Sequence, residues 1–418
     1  MFPTTSWTLI AGVVLAVMTT VVTLGTASPD QAAGARPAPG AGPRALSTPS
    51  SADYKAGVTA WTQFRGDLLN TGISHSRQPN WKKLGIKWKY WTGSYQSSTP
   101  AMADGKLVTC TEGGDMHCVD ARTGKKVWKI LCSADRKPGR GIVFCSPLIH
   151  NGRVYVGNKI GQLWCINFKT GKKEWTWQED GLDPRIFSSP KGDDRGIVIA
   201  TVDQKMMRGQ ITCLDPVTGK ERWKTRLGRE VGATPAVLGD ALYVACKDRK
   251  LYEIGYADGK IRRAMPLPGT THCTPALGMG FAFLVTGGRK SVAVDLLQGK
   301  VAWQADATSD DKIAVGFANG RAYFPLGRFL YCFDAITGAE KYKFPTGHKV
   351  SAPCISGDYA LITGRDGWFR VIDKAGEEVH SVNLGEPCVA GPILVDGVVY
   401  TCSDVNVGHH LFALGEMP

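Results

Sequence analysis

The sequence predicts an all-β protein, and two observations lead to that fold class. A short pattern recurs along the chain, as in ITCLDPVTGKERW at residues 211–223, where a strand, an acid, a Thr-Gly turn and a tryptophan follow one another. Fifty of the 418 residues are glycine, which suits many tight turns between short strands. A motif that repeats this often is first a structural unit and only second a candidate site.

Each repeat reads as four short strands. In residues 97–128, a Thr-Pro opening is followed by a strand, an Asp-Gly turn, a second strand, a Gly-Gly turn, a third strand, a Thr-Gly turn and a last strand. Such an antiparallel sheet cannot bury both of its faces alone, so copies must stack. Four-stranded copies arranged radially make a β-propeller. A solenoid is the rival architecture, but its repeats are usually shorter and have one strand each.

Two recurring signals count the blades. The glycine before the last strand recurs at Gly124, Gly171, Gly219, Gly259, Gly299, Gly338 and Gly376. The opening proline recurs at Pro100, Pro147, Pro190, Pro235, Pro275, Pro353 and Pro392. A double-length gap places one further opening, without its proline, near Ala314, and the last unit is one strand short. Because residues 84–91 (LGIKWKYW) can supply that strand, we predict an eight-bladed propeller of four-stranded antiparallel blades, closed by an N-terminal strand.

Three regions are predicted along the chain. Residues 1–27 are a signal peptide or an N-terminal membrane anchor, residues 28–57 are a disordered Pro/Ala/Gly/Ser linker, and residues 58–418 are the propeller. The apolar run 7–24 followed by small residues is typical of a secretory signal. No basic residue precedes it, and its length is near the roughly 20 residues that span a bilayer. Both alternatives predict export to the periplasm or the exterior, the second with residues 7–24 as an inner-membrane anchor.

The stretch WTQFRGDLLNTGIS, residues 61–74, followed by these repeats, resembles the PQQ-like (quinoprotein-type) β-propeller repeat family. The resemblance covers about residues 58–418. That family includes the outer-membrane assembly lipoprotein BamB and the quinoprotein alcohol dehydrogenases. It implies that the last-strand tryptophans pack between neighbouring blades, namely Trp128, Trp175, Trp223 and Trp303.

The resemblance leaves several functions open. The leading hypothesis is a non-catalytic, extracytoplasmic scaffold that binds another protein, similar to BamB. The alternative is a PQQ-dependent oxidoreductase of the alcohol dehydrogenase type, and a third is carbohydrate or cell-surface binding through exposed tryptophans. A PQQ enzyme would need an aromatic platform and a Ca²⁺ held by Glu, Asn and Asp, with a catalytic Asp nearby. No such set is identifiable in the sequence, so we predict no catalytic residue and no cofactor, and PQQ with Ca²⁺ stays the alternative.

Cysteines and histidines give no metal or redox signature. Cys118, Cys165, Cys213 and Cys332 occupy one slot of the repeat, which predicts packing as small hydrophobes, with one or two disulfides as the alternative. The acid that follows this slot, such as Asp215, is expected to cap the next turn. The eight histidines are scattered, so no metal site is predicted.

The net charge of +13 and three insertions point to a binding face. The insertions are residues 131–144, 178–187 and 203–210. They emerge at the same end of three consecutive blades, an arrangement that often marks where a repeat protein binds. The predicted partner-binding residues are Arg136, Lys137, Arg140, Arg185, Lys205, Met206, Met207 and Arg208, extended around the ring by Lys247, Arg249, Lys250, Arg289 and Lys290. The expected partner is an acidic protein, an anionic surface glycan or a lipid headgroup; nucleic acid is not expected, and a basic surface without a partner is the alternative.

Overall fold

The structure, a computed structural model, describes residues 60–132, 143, 145–288, 290–306, 314–403 and 408–418. These residues form eight antiparallel sheets arranged as a closed ring, so the predicted eight-bladed β-propeller is confirmed. Trp81–Lys83, a 3₁₀ turn, is the one helix among them. No helix in the described ranges has the length and apolar character to cross a bilayer. The predicted signal or anchor (1–27) and linker (28–57) lie outside the described residues.

The strands follow the order in which the repeats occur, and the first strand of each blade lies nearest the axis, against the first strands of its neighbours. Blades 1 and 2 consist of Ala101–Ala103, Lys106–Cys110, Asp115–Asp120 and Lys126–Leu131, and of Leu148–His150, Arg153–Gly157, Gln162–Asn167 and Lys173–Gln178. Blade 3 consists of Lys191–Asp193, Gly196–Asp203, Arg208–Leu214 and Glu221–Leu227, with a fifth segment, Pro184–Ile186, on the far end of its second strand. Blades 4 and 5 consist of Ala236–Leu238, Ala241–Cys246, Lys250–Gly255 and Ile261–Pro266, and of Ala276–Gly278, Phe281–Thr286, Lys290–Asp295 and Lys300–Asp306.

The remaining blades complete the ring. Blades 6 and 7 consist of Gly316–Ala318, Arg321–Leu326, Phe329–Asp334 and Glu340–Pro345, and of Cys354–Ser356, Tyr359–Thr363, Trp368–Ile372 and Glu378–Asn383. Blade 8 consists of Ile393–Val395, Val398–Cys402 and His410–Glu416, and its fourth strand is Leu84–Trp91 from the other end of the chain. The unit near Ala314 that lacks its opening proline is blade 6, as predicted.

The closing strand, Leu84–Trp91, joins the two ends of the described chain. Leu84 lies opposite Glu416 and Trp91 opposite His410 in an antiparallel ladder. The Trp88 indole N–H donates to the carbonyl of Ala121 in blade 1 at 3.1 Å. The closing strand therefore completes blade 8 and also packs against blade 1, which leaves no open seam in the ring.

A tryptophan–glycine contact holds neighbouring blades together. The Trp128 indole N–H donates to the carbonyl of Phe168 in blade 2 at 2.9 Å, and a Cβ added to Gly171 would lie 2.9 Å from the indole. The same pairing recurs at Trp175 and Gly219, Trp223 and Gly259, Trp303 and Gly338, and at the seam between Trp88 and Gly124. The expected packing of the last-strand tryptophans is confirmed. The glycine before the last strand is required because the tryptophan indole of the preceding blade lies against it.

The recurring cysteine lies opposite this tryptophan. Cys118 pairs across the strands with Trp128, and Cys213 with Trp223, at a β-bulge that recurs between the third and fourth strands. All twelve cysteines are buried and none is disulfide-bonded. Burial raises the pKa of the Cys213 thiol to about 12, so it stays protonated at neutral pH. These cysteines serve as small packing residues.

The two faces of the ring differ in what emerges there. We call the side with the first-to-second-strand and third-to-fourth-strand turns the turn face. Its turns are built by acids: Asp215 accepts from the backbone N–H groups of Val217 and Thr218 at 3.0 and 2.8 Å, which confirms the predicted cap. The Arg222 guanidinium and these donors hold the Asp215 pKa well below its usual range. The opposite side, with the second-to-third-strand loops and the links between blades, is the cavity face.

Candidate functional site

Residues 61–74, which we call the belt, run once around the inside of the ring and contact every blade. First-strand N–H groups donate to belt carbonyls at 2.7–2.9 Å, from Met102, Ile149, Val237, Leu277, Phe317 and Ile355 to Trp61, Thr62, Leu68, Leu69, Thr71 and Gly72 respectively. In blade 3 the Lys191 ammonium donates to the carbonyls of Phe64 and Asp67 at 2.6 and 2.8 Å. In blade 8 the Ser74 hydroxyl donates to the carbonyl of Leu394 at 2.6 Å.

The belt follows this path because its sequence allows tight left-handed turns. Asn70 has a φ of 59°, a conformation that asparagine tolerates better than most residues. Its buried amide donates to the carbonyls of Pro235 and Pro275 at 3.1 and 3.2 Å, which ties blades 4 and 5. The buried Arg65 guanidinium donates to Val315 in blade 6 at 3.2 Å. Sequence reasoning identified this stretch only as a family marker and missed its role.

A chain of hydroxyl groups lies above the belt. The N–H of Thr99 donates to the Ser146 hydroxyl, that of Ser146 to Ser189, that of Ser189 to Thr234, and that of Thr234 to Thr274, at 2.9–3.0 Å. These are the residues before the opening prolines, so the recurring Ser/Thr-Pro pair links five consecutive blades. At the same position blades 6, 7 and 8 carry Ala314, Ala352 and Gly391. The axis is therefore polar on one side and apolar on the other.

A cavity of about 590 Å³ opens above the belt on the cavity face. Phe64 of the belt and Phe187 of a blade link contribute its aromatic wall, and the hydroxyl chain contributes its polar wall. Glu230 is buried and forms an ion pair with Lys247, and His272 lies in the same lining. A cavity of this size could enclose a small ligand.

The donors of this cavity do not fit a calcium ion. Ca²⁺ takes six to eight oxygen ligands, usually including several carboxylates. Among the described residues that line the cavity, Glu230 is the sole carboxylate, and it is paired with Lys247. In the described part of the chain, no group of three or more His, Cys, Asp or Glu side chains is arranged to hold a metal ion. We therefore assign no calcium ligand and no catalytic residue here.

The predicted insertions on blades 2 and 3 form one structure on the cavity face. Pro184–Ile186 pairs with the end of the strand Gly196–Asp203, so the link is a sheet extension and not a free loop. Asp203 accepts from the N–H of Leu182 at 3.0 Å, which fixes the link against the loop 203–208. Burial raises the Asp203 pKa, but the surrounding backbone N–H donors outweigh it and hold that pKa below its usual value.

The predicted partner-binding residues are only partly brought together. Lys205, Met206, Met207 and Arg208 lie side by side in an exposed loop. Arg185 is half-buried and forms an ion pair with Asp183 at 2.8 Å. Arg136, Lys137, Arg140 and Arg289 lie outside the described residues. Of the extension around the ring, Lys247 is paired with Glu230, Lys290 with Asp306, Lys250 lies over the Tyr252 ring at 6.0 Å, and Arg249 is exposed.

One apolar residue of this region was not singled out from the sequence. The Leu182 side chain is 67% exposed, beside Met206 at 44% and Met207 at 49%. Leu182, Met206, Arg208 and Arg226 line a groove of about 340 Å³ together with Asp180 and Asp203, and we call these first four with the adjacent Met207 the blade 3 surface. Leu182 lies inside an insertion rich in acids, so only the tertiary pairing shows that it joins the methionines.

The tryptophans outside the repeat slot do not form a common surface. Trp61 and Trp81 are buried, and Trp177 and Trp368 are half-buried. Trp91 is 64% exposed on the outer closing strand. Carbohydrate binding through a face of exposed tryptophans therefore has little support among these five.

Comparison with known proteins places this architecture in a family. A family model described as outer membrane protein assembly factor BamB matches residues 50–200, 207–323 and 292–407. No curated protein sequence matches the chain significantly. The BamB structure from Moraxella catarrhalis aligns with a TM-score of 0.65 at 13% identity, over 79% of this chain and 97% of that one.

Solved enzymes share the fold as well. A europium-containing methanol dehydrogenase aligns with a TM-score of 0.73 at 12% identity, over 85% of this chain and 98% of its own. A quinohemoprotein alcohol dehydrogenase from Comamonas testosteroni aligns with a TM-score of 0.70 at 15% identity, over 88% and 82%. Identities this low establish a common fold and leave function open. Because the family model matches most of its length, the chain belongs to the BamB-like family of PQQ-repeat β-propellers.

Proposed function

We propose that this chain is a non-catalytic, extracytoplasmic scaffold that binds another protein through the blade 3 surface. The observation that carries the proposal is the exposed cluster of Leu182, Met206 and Met207 on the cavity face. Contiguous exposed apolar side chains rimmed by polar groups mark interaction sites. Flexible methionines adapt to the shape of a partner.

The charges around the cluster favour an acidic partner with apolar side chains. Arg208 and Arg226 are exposed in the groove and Lys205 is exposed in the adjoining turn, while Asp180 and Asp203 are the acids of the lining. The nearby Asp203 carboxylate already accepts backbone N–H groups of Leu182, Lys205 and Met206, which reduces its repulsion of an incoming acid. An anionic glycan or lipid headgroup could meet the same charges, but neither would fill the apolar part of the groove.

The N-terminal sequence supports an extracytoplasmic location. The apolar run 7–24 followed by a Pro/Ala/Gly/Ser stretch fits a secretory signal or an inner-membrane anchor ahead of an exported domain. A protease-protection assay on intact cells and spheroplasts tests this part. Propeller that stays protected after the outer barrier is opened would contradict it.

Quantitative affinity purification of the full chain tests the binding surface. The variant M206S/M207S/R208S removes two of the three apolar side chains of the cluster and one charge, while K126Q/V127S makes comparable changes on the outer strand of blade 1 as a matched control. We expect the proteins that co-purify with the unmodified chain to be depleted by the first variant and retained by the second. Equal recovery with both variants would rule out the blade 3 surface as the site.

The axial cavity favours a second candidate, a PQQ-dependent oxidoreductase. The cavity is large enough for a small cofactor and has aromatic and hydroxyl walls, although its described residues do not provide calcium ligands. Titration of residues 56–418 with PQQ and Ca²⁺, followed by tryptophan quenching and dye-linked alcohol oxidation, separates the two functions. Saturable PQQ binding with alcohol turnover would replace the scaffold proposal. If the chain is a scaffold, we expect no PQQ binding.

A further inference from the structure

The third-to-fourth-strand turns, which we call the outer turns, carry exposed aliphatic side chains on one side of the ring. We call these side chains the tips. The second residue after the turn acid is Val217 in blade 3, Leu297 in blade 5 and Ile336 in blade 6, with side chains 57%, 74% and 55% exposed. Blade 4 has an exposed alanine in this slot, and blades 1 and 2 have Arg122 and Lys169. Because the blades repeat one geometry around an axis, equivalent turn residues lie at nearly one height. The tips therefore present a flat arc across blades 3 to 6.

These tips are held outward by their turns. The carboxylates of Asp215, Asp295 and Asp334 accept from the N–H groups of the three tips at 3.0, 2.8 and 3.1 Å respectively. A single exposed aliphatic residue needs no explanation. Three of them in one slot of four consecutive blades, at a turn position where polar residues are the norm, form an organised apolar feature.

Positive charge runs beside the tips. The residue after the turn glycine is an exposed lysine in five consecutive blades, at Lys125, Lys172, Lys220, Lys260 and Lys300. Nearer the axis the same face carries acids, but several are tied to basic groups, since Asp240 pairs with Arg262 at 2.8 Å and Asp358 with Lys374 at 2.9 Å. Lys260 also lies 3.8 Å from Asp258. The outer rim is therefore basic across blades 1 to 5, whereas blades 6 and 7 have Ala339 and Glu377 in the position of these lysines.

The belt ends on this side of the ring. Beyond its end, Arg77 forms an ion pair with Asp396 in the first turn of blade 8, and Asn80 contacts Glu416. The chain thus leaves the belt on the turn face.

We propose that the turn face docks on the surface of an anionic lipid bilayer. Val217, Leu297 and Ile336 would enter the headgroup layer, and the rim lysines would lie against lipid phosphates. Aliphatic side chains and clustered lysines together give the two contributions that hold a protein at such a surface. A bilayer is flat, so it can contact the whole arc at once. This inference goes beyond the proposed scaffold, because it uses the opposite face and leaves the blade 3 surface open to a protein.

Vesicle sedimentation of residues 56–418 tests the proposal. All strands of the ring lie between residues 84 and 416 and the belt starts at residue 61, so this fragment keeps the whole propeller without the apolar run. We expect binding to vesicles of phosphatidylcholine with one third phosphatidylglycerol, and little binding to phosphatidylcholine alone. The triple variant V217S/L297S/I336S should weaken binding at least tenfold, and K172Q/K220Q/K300Q roughly a hundredfold. The cavity-face variant M206S/M207S is the matched control and should bind as the unmodified fragment does.

The outcomes separate the alternatives. Fragment that stays in the supernatant with anionic vesicles would overturn the proposal, as would binding that survives both triple variants. If only the cavity-face control M206S/M207S lost vesicle binding, the lipid contact would lie on the cavity face, and the proposal would also be overturned. None of these results touches partner capture through the blade 3 surface, so the two proposals fail independently.

Discussion

The belt and the closing strand both join the ends of the propeller, but they do so in opposite ways. The closing strand contributes one ladder to one blade and repeats the tryptophan–glycine contact found at four other blade interfaces. The belt contacts all eight blades, mostly through one or two hydrogen bonds each, and its own sequence does not repeat. Closure by the strand concentrates its contacts at one seam, while the belt distributes them around the axis.

The chemistry of the two regions differs as well. The closing strand packs the half-buried aromatic side chains of Trp88 and Tyr90 against blade 1, whereas the belt region buries cations. Burial lowers the Lys191 pKa to about 7 and the Arg65 pKa to about 10, and the carboxylate of Asp67 opposes both shifts. Backbone carbonyls take the place of full ionic partners: those of Phe64 and Asp67 for Lys191, and those of Thr71 and Val315 for Arg65. We expect the seam to respond to loss of packing and the belt to loss of hydrogen bonds or charge.

The largest effect is expected at the seam, from Trp88→Ala. This change removes the ring that lies on Gly124 and the hydrogen bond to Ala121. The free energy of unfolding should fall by about 4 kcal/mol. Trp91→Ala on the same strand, where the side chain is 64% exposed, is the control and should lower it by less than about 1 kcal/mol. Urea unfolding followed by circular dichroism measures both, and equal losses would show that the seam does not depend on this contact.

Substitutions of Asn70 test how much the belt contributes to the free energy of unfolding. Asn70→Gly keeps the left-handed backbone accessible but removes the two donors to Pro235 and Pro275, for a loss of about 2 kcal/mol. Asn70→Ala adds the strain of a Cβ at positive φ and should lose about 3 kcal/mol. Urea unfolding of both variants separates the two contributions. If glycine is as stable as asparagine, the belt amide does not stabilise the ring.

Lys191 gives the belt a pH signature. Its folded pKa of about 7 lies below its ordinary value of 10.5, so between these values the unfolded chain binds a proton that the folded chain does not. The free energy of unfolding should therefore rise with pH, by about 2 kcal/mol between roughly pH 7.5 and 9.5. Lys191→Met should flatten this rise, whatever its effect at one pH. Melting temperatures measured across that pH range test this. If Lys191→Met showed the same pH dependence as the unmodified protein, Lys191 would be excluded as its cause.

His117 gives the seam a smaller signature at lower pH. It is buried beside Tyr90 of the closing strand, 3.0 Å from the hydroxyl, and burial and then Lys129 lower its pKa to about 4. As pH falls from 6.5 towards 4 the unfolded chain takes up a proton first, so stability should fall by about 1 kcal/mol between roughly pH 6 and pH 5. His117→Asn should remove most of this loss in a pH series of thermal melts. Lys191→Met should keep it, which makes each variant the control for the other.

Repetition made most of the ring readable in advance. The glycine at the Thr-Gly turn, the tryptophan after it and the cysteine opposite recur at fixed spacing, and each recurrence marks one blade. The missing strand at the C-terminus and the unpaired LGIKWKYW at the other end had a single pairing that closed the ring. Singular features were less accessible. Leu182 has no counterpart in other blades, and Lys191 stands where other blades have apolar residues or glycine, so periodicity gave no information about either.

The sequence by itself determined the repeat, the number of blades and the closing strand, because these follow from local strands and a regular period, while its resemblance to the family indicated the tryptophans that pack between blades. Only the tertiary structure decided the course of residues 61–74, the cavity above Phe64, and the meeting of Leu182 with Met206 and Met207. Those contacts join residues far apart in the chain, such as Ser74 and Leu394, and closure of the ring brings them together. Their physical cause is the shape of the assembled ring, which no single segment encodes.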